Sequence, residues 1–215
     1  MPRSLAYDPR NALNAICPYF TMFPLEYPLR VLKGYRKNNP IIMDPFCGRG
    51  TTLFAARQLG LAAWGIDSSP VAVAIAQAKL CKVNINKTLE LANSYIETDR
   101  VYEMPTSEFF QYAFSPSVLK QVCAIREGLL RVNDETDATV LLRAAMLGCL
   151  HGQMSKRAET QAYFSNQMPR TFSTKPEYSV RYWKEKGLIP PDIDVMNVLL
   201  RKLVRINPLT GRQVA

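Results

Sequence analysis

The chain has 215 residues, with 27 lysines and arginines against 18 acids and a formal net charge of +9. A composition of 47% hydrophobic and 21% charged residues excludes disordered and fibrous proteins and is typical of a globular chain with one sizeable core. The positive charge favours a polyanionic partner, and it is concentrated towards the two ends: residues 1–104 carry twelve cations and eight acids, and residues 151–215 carry eleven cations and five acids.

The cysteines and the first residues indicate a compartment. Five cysteines are spread along the chain without a Cys-x-x-Cys pair, which is typical of reduced thiols in a cytoplasmic protein. The first ten residues lack the apolar core of a signal peptide, and no run of eighteen apolar residues is present. We therefore expect a cytoplasmic protein with no membrane contact. His151 is the only histidine and has no clustered partners, so we predict no metal site.

The stretch from Ile41 to Thr52 dominates the first half of the chain. Its apolar start predicts a short buried strand, which ends before a turn containing Gly48 and Gly50. A helix follows, and then a second apolar run, Leu61 to Ile66, ends at Asp67. Strand, glycine turn, helix, strand and terminal acid in this order are typical of a Rossmann-like nucleotide site.

Each residue type in that unit has a chemical reason. Gly48 and Gly50 allow a tight turn and a close approach of the backbone to a ligand. Thr51 and Thr52 open a helix, where unpaired N–H groups favour a negatively charged ligand group. Asp67 can accept hydrogen bonds from both hydroxyls of a ribose. The turn lacks the lysine of a P-loop and the third glycine of a dinucleotide fingerprint, so it matches neither of those sites.

The full strings are more specific than the turn. Asp-Pro-Phe-Cys-Gly-Arg-Gly-Thr-Thr, Asp44 to Thr52, closely resembles the S-adenosylmethionine motif of the DNA amino-methyltransferases, which methylate adenine N6 or cytosine N4. Arg49 stands where that family usually has serine. Residues 18–24 resemble the family's Phe-Pro segment, which closes over the methionine end of the cofactor, and residues 65–70 resemble the segment that follows the second strand.

The resemblance implies S-adenosylmethionine as cofactor, a place in DNA methylation and restriction-modification, and a set of binding residues. The implied cofactor-binding residues are Thr21, Phe23, Pro24, Asp44, Pro45, Phe46, Cys47, Gly48, Gly50, Thr51, Thr52, Asp67 and Ser68.

Helices are predicted for most of the remaining chain. Pro28 begins one that ends before Gly34, and Lys33 to Pro40 is predicted as a basic loop. Later helices are expected after Ser69, over residues 88–96, after Ser115, over residues 139–150 and over residues 195–205. Residues 1–16 are predicted as an irregular arm. We expect two domains, residues 1–104 for the cofactor and residues 105–215 as a helical, basic extension.

Residues 152–188 mix cations with aromatic rings, a combination that contacts phosphates and stacks on bases. A loop-rich layer packed on the core by its aromatics is an equally good interpretation. Parts of this segment resemble an insertion found in one branch of the same methyltransferases, which favours DNA contact. The predicted DNA-contacting residues are Lys156, Arg157, Arg170, Lys175, Arg181 and Lys184.

The family's catalytic motif, Ser-Pro-Pro-Tyr or Asp-Pro-Pro-Tyr, is absent from the chain, and Pro190-Pro191-Asp192 has the wrong neighbours. In the family's motif, the aromatic ring would stack on a flipped base. Only two strands of the expected sheet are evident, so the predicted fold is a partial α/β Rossmann-like sheet that a partner chain completes. The chain is then a subunit or fragment of a split DNA methyltransferase, inactive alone. The alternatives are a non-catalytic module that binds S-adenosylmethionine or DNA, and an RNA methyltransferase component. Adenine N6 and cytosine N4 both stay open as targets.

Overall fold

The computed structural model describes residues 9–19, 23–98, 102–152, 160–168 and 175–207. These residues are mostly helical, with one small sheet of two parallel strands. The chain divides into two compact units, one formed by residues 1–83 and 205–215 and the other by residues 84–204. In the described part of the chain, no helix is both long enough and apolar enough to cross a membrane.

The first unit contains the sheet and three helices. After a 3₁₀ segment, Pro9–Ala15, come α1 (Glu26–Tyr35), β1 (Ile42–Asp44), α2 (Thr51–Gln58), β2 (Ala63–Gly65) and α3 (Pro70–Leu80). Helix α2 packs on α1, on α3 and on both strands, so it is the centre of this unit. Gly60 follows α2 with a φ of +72°, and Ser69 caps α3 with Pro70 as its first residue, as predicted.

The strands differ from the prediction in their burial. Register pairs Met43 with Trp64, so these two side chains share one face of the sheet, together with Ile41 and Ile66 two residues away. All four are exposed, by 55–70%. The described residues cover only the opposite face, where Ala63 packs against a cluster of Cys47, Leu53 and Ala76. The predicted buried strand was therefore wrong for this face.

Two other predictions in the first unit need correction. Helix α1 begins two residues before Pro28 and continues through Gly34, and the predicted basic loop instead holds the end of α1 and a 3₁₀ turn, Arg36–Asn38. The predicted irregular arm is packed in its described part, since Leu13 is buried and Gln58 of α2 donates to the carbonyl of Arg10 at 3.4 Å. The apolar side chains of this segment provide its packing, which the many polar residues did not suggest.

The second unit is helical. It contains α4 (Ile85–Ile96), α5 (Glu108–Ala113), α6 (Pro116–Leu130), α7 (Asp137–Cys149), α8 (Pro176–Glu185) and most of α9 (Val195–Ile206). Helix α4 packs on α6 and α7, and α5 packs on α8. The division after Val83 precedes the predicted boundary at residue 104 because α4 packs within the second unit.

Caps explain several of these helices. Ser115 caps α6, and Thr136 and Thr139 form a reciprocal capping box at the start of α7. Helix α7 buries eight of its residues, in agreement with the prediction of a buried apolar helix. Helices α5 and α8 were not predicted: α8 replaces part of the loop-rich layer expected over residues 152–188.

Candidate cofactor site

The parallel pairing of β1 and β2 brings their carboxyl ends together. The N–H of Ile66 donates to the carbonyl of Asp44 at 3.0 Å, and the N–H of Cys47 donates to the carbonyl of Ile66 at 3.0 Å. These two bonds continue the pairing past the strands. Asp44 and Asp67 therefore stand at one edge of the sheet, where open α/β sheets bind their ligands.

Asp67 holds the turn that joins β1 to α2. One oxygen of its carboxylate, Oδ2, accepts from the N–H of Gly48 at 2.8 Å, and the other, Oδ1, accepts from the N–H of Ser69 at 2.9 Å. Each oxygen keeps a second lone pair for another donor. The carboxylate of Asp44 makes a longer hydrogen bond within its own turn: its Oδ1 accepts from the N–H of Phe46 at 3.2 Å. Asp67 is thus built into the turn as well as facing the predicted ligand edge.

The two glycines of the turn meet different requirements. Both have positive φ angles, +50° for Gly48 and +71° for Gly50, which other residues rarely adopt. A Cβ on Gly50 would lie 2.7 Å from the Cβ of Ala76, so α3 packs directly on this residue. A Cβ on Gly48 would meet no atom within 4 Å. Gly50 therefore permits the packing of α3, and Gly48 leaves open space above the turn.

The amino end of α2 is the polar centre of the site. Gly50 is its N-cap residue and supplies no side chain to satisfy the first N–H groups. Thr51 is buried and Thr52 is half-buried. Free N–H groups and the helix dipole favour a negatively charged group at this end.

Cys47 and Arg49 face inward. Cys47 belongs to the apolar cluster with Leu53, and burial, followed by the charges of Asp44 and Asp67, raises the pKa of its thiol. The thiol is therefore protonated at neutral pH and is a packing group. Arg49 is only 5% exposed, and burial lowers the pKa of its guanidinium. The residue that departs from the family pattern thus places its side chain inside the first unit.

Lys79 and Arg57 were missed by the sequence reasoning. Lys79 is fully buried on α3, and its Nζ has no hydrogen-bond partner among the described residues. Its spacing from Ala72 and Ala76 on an Ala-rich helix was the available signal, because it places all three on one face. Arg57 donates to the carbonyls of Lys79 and Cys81, which secures the carboxyl end of α3.

The remaining predicted cofactor residues lie in exposed positions or outside the described residues. Phe23 is 48% exposed and meets Tyr27 of α1 edge to face, with ring centroids 6.2 Å apart. Phe46 is 89% exposed. Exposed positions are also held by Pro24, Pro45 and Ser68, whereas Thr21 lies outside the described residues.

The predicted DNA-contacting residues are only partly described. Lys156, Arg157 and Arg170 lie outside the described residues. Lys175 is exposed at the start of α8.

The other two cations of α8 are close to acids. Lys184 pairs with Glu108, an interaction that raises the pKa of the lysine, and Arg181 lies 4.0 Å from Glu185. A groove of about 510 Å³ between α5 and α8 is lined by three glutamates as well as these two cations. This groove is consequently less suited to phosphates than the sequence suggested.

Asn166 shows that part of the same segment is structural. It is fully buried, and its side-chain amide donates to the carbonyls of Tyr112 at 3.1 Å and Leu188 at 3.4 Å. Its Oδ1 accepts from the N–H of Gln167 at 2.8 Å. Asn166 therefore fastens α5 to the chain after α8, and it does not face a nucleic acid.

Asp192 has a structural position too. Its carboxylate accepts from the hydroxyls of Ser115, at 2.8 Å, and Ser117, at the amino end of α6. These hydrogen bonds lower the pKa of Asp192. Asp192 thus joins the segment before α9 to the start of α6.

The first unit is similar to a known family of proteins. Residues 4–78 match the family described as DNA methylase, N6_N4_Mtase. This match covers the whole strand, turn, helix and strand unit with both acids, and it confirms the resemblance to the DNA amino-methyltransferases. Over these residues the chain is similar to the DNA N6/N4 methyltransferases.

One curated relative supports the same assignment. The chain is 34% identical over 103 residues to the Type II methyltransferase M.MjaII of Methanocaldococcus jannaschii. The alignment covers 43% of this chain and 19% of that protein, so the chain spans about a fifth of the length of its relative. No solved structure matches the chain.

Proposed function

We propose that this chain binds S-adenosylmethionine and forms the cofactor half of a DNA methyltransferase that acts on adenine N6 or cytosine N4. The observation that carries the proposal is the position of Asp67, whose carboxylate joins the glycine turn to the start of α3 at the carboxyl edge of the sheet. The family match and the relative support the reaction class.

The residues of the site fit such a cofactor. Gly48 has open space above it, and α2 presents an amino end without a side-chain cap. A carboxylate of the methionine part suits this positive end, and the ribose hydroxyls suit the remaining lone pairs of Asp67. Phe23 and Pro24 would cover the methionine part from the side of α1. When bound, the cofactor supplies an activated methyl group.

The proposal includes a companion polypeptide that carries the catalytic Ser-Pro-Pro-Tyr or Asp-Pro-Pro-Tyr loop. Transfer to an amine needs the amine, its hydrogen-bond acceptors and the methyl donor in one arrangement, and these 215 residues contain no such loop. The exposed face of Ile41, Met43, Trp64 and Ile66 supports the proposal as well. Parallel sheets are normally covered on both faces, so this face suits helices of a companion.

Calorimetry with S-adenosylmethionine tests the site. Asp67→Ala should weaken binding by about 1–3 kcal/mol, because hydrogen bonds to the ligand and to the turn are lost together. Asp192→Ala is the matched control, since this carboxylate also accepts two hydrogen bonds at a helix start but lies in the second unit. Equal affinity of both variants and the wild type would refute the role of Asp67.

Transfer of labelled methyl groups tests the enzyme. The chain alone should transfer none to DNA, and the mixture with a companion that carries the catalytic loop should be active. Activity of the isolated chain would refute the split arrangement. Binding of cofactor without transfer in any mixture would favour a non-catalytic module, and transfer to RNA instead of DNA would favour the RNA methyltransferase component.

A further inference from the structure

Helix α1 and the 3₁₀ turn that follows it present an exposed surface of unusual composition. Three large side chains four residues apart, Tyr27, Val31 and Tyr35, are 57%, 40% and 59% exposed. Pro28 and Leu32 are the buried residues of α1, which packs on α2. The exposed row is therefore not needed for packing within the first unit.

Four cations accompany this row: Arg30, Lys33, Arg36 and Lys37. All four are exposed, and within the described residues none of them forms an ion pair. Residues 26–38 contain a single acid, Glu26. The surface thus has an excess of three positive charges over about 20 Å of helix and turn.

We propose that this surface, which we call the α1 face, binds the phosphate backbone of duplex DNA. The positive charge of the α1 face is complementary to a polyanion. Its cations form no ion pair with the described residues, so no ion pair of theirs has to be broken when they contact phosphates. Arg30 and Lys37 are about 10 Å apart along the axis, close to three base-pair steps of one strand. Tyrosine hydroxyls also donate to phosphates, so the aromatic row fits the same ligand.

Ion pairing distinguishes this face from the α8 cations. The guanidinium of Arg30 lies over the ring of Tyr27 at 5.9 Å, which holds it in place without neutralising it. Arg181 has a similar aromatic contact, but Arg181 and Lys184 also lie beside glutamates. Gly34 lies among the exposed residues of α1, and a Cβ there would meet no atom within 4 Å, so a strand can approach the helix closely.

The inference rests on the proposed function, because DNA is the substrate proposed there. It adds a contact surface beside the cofactor residues: Phe23 touches Tyr27 of the α1 face. DNA held by this face would lie next to the group that covers the methionine part of the cofactor.

The test measures binding of the full chain to a labelled 20-base-pair duplex by fluorescence anisotropy at several salt concentrations. The triple variant Arg30→Ala, Lys33→Ala, Lys37→Ala should weaken binding by about 10- to 100-fold at low salt. The slope of log affinity against log salt should become shallower by about 2 to 3, since each lost phosphate contact removes about 0.9.

The control is a triple variant with the same change in net charge, Lys82→Ala, Lys87→Ala, Lys120→Ala, at exposed lysines elsewhere. It should retain the wild-type slope. An equal loss in the control would overturn the proposal, because net charge would then explain the binding. So would an unchanged slope in the α1 variant, or a slope that depends only on Lys175, Arg181 and Lys184.

Calorimetry with S-adenosylmethionine on the α1 variant separates this inference from the proposed function. Loss of duplex binding with cofactor affinity retained supports both. Loss of duplex binding in a chain that never binds the cofactor supports the α1 face and refutes the cofactor half.

Discussion

Lys79 should destabilise the first unit at neutral pH, and its replacement by methionine should stabilise the protein. The side chain is fully buried on α3, and in the part of the chain that the structure describes its Nζ has no hydrogen-bond partner. Burial first, and then the charge of Arg49, lower the pKa of Lys79 from 10.5 to about 6. Methionine keeps the length of the apolar stem and removes the amine.

The direction of the pH effect follows from the two pKa values. In the unfolded chain Lys79 binds a proton below pH 10.5, whereas in the folded chain it binds one only below about 6. The unfolded state therefore holds more protons between these values, and the stability of the wild type rises with pH across this window. The free-energy penalty of burying Lys79 is absent above the pKa of 10.5 in the unfolded chain, and it is complete below the pKa of about 6 in the folded chain.

The size of the effect at pH 7 can be worked from the same values. Each pKa unit corresponds to about 1.36 kcal/mol, so proton uptake by the unfolded chain between pH 10.5 and pH 7 costs up to about 5 kcal/mol. We expect Lys79→Met to raise the free energy of unfolding by about 3–5 kcal/mol at pH 7 and by much less near pH 10.

Urea unfolding followed by circular dichroism at pH 7, 8 and 9 measures this. The wild type should gain up to about 1.4 kcal/mol per pH unit relative to the Lys79→Met variant. Lys82→Met, at an exposed lysine nearby in sequence, should match the wild type at each pH. A variant less stable than the wild type at pH 7, or a difference that does not vary with pH, would refute the reasoning.

Two further predictions concern packing. Gly50→Ala should cost about 2–5 kcal/mol of stability and abolish cofactor binding, because the new Cβ would lie 2.7 Å from the Cβ of Ala76 at a positive φ. The control Gly34→Ala, in open space, should raise the stability by about 0.5–1 kcal/mol. Equal effects of the two variants in thermal unfolding would contradict this prediction. Asn166→Leu should cost about 2–4 kcal/mol because it leaves buried backbone groups of the second unit without partners, while Asn86→Leu on the exposed side of α4 should change stability little; a tolerant Asn166 in urea unfolding would refute its structural role.

Local chemistry explains what could be predicted from the sequence. The turn at Gly48 and Gly50, the end of α2 at Gly60 and the start of α3 at Ser69 each depend on residues within a few positions of one another. Their geometry is decided by backbone preference and capping, so the chain order alone reveals them. Asp44 and Asp67 are not close in sequence, but each follows a strand of a strand–helix–strand unit, whose parallel strands end at the same side of the sheet.

Predictions failed where the outcome depends on what packs against an element. Ile41 and Met43 have the composition of a buried strand, yet burial also requires a layer on their side of the sheet. Helix α8 was missed because its many polar residues concealed the spacing of Ser179, Val180 and Trp183, which form its buried side. The inward position of Lys79 depends on α3 packing on α2, which the type of residue does not suggest.

The first unit exposes two surfaces of opposite character, and their chemistry assigns them to different occupants. The sheet face of Ile41, Met43, Trp64 and Ile66 carries no charge, so it gains free energy only when apolar surface covers it. The α1 face carries cations that form no ion pair with the described residues, and an apolar surface would strip them of water at a cost. A companion polypeptide therefore suits the sheet face and a polyanion suits the α1 face. Because the two do not compete for one surface, the proposed companion and the proposed DNA contact are compatible with one another.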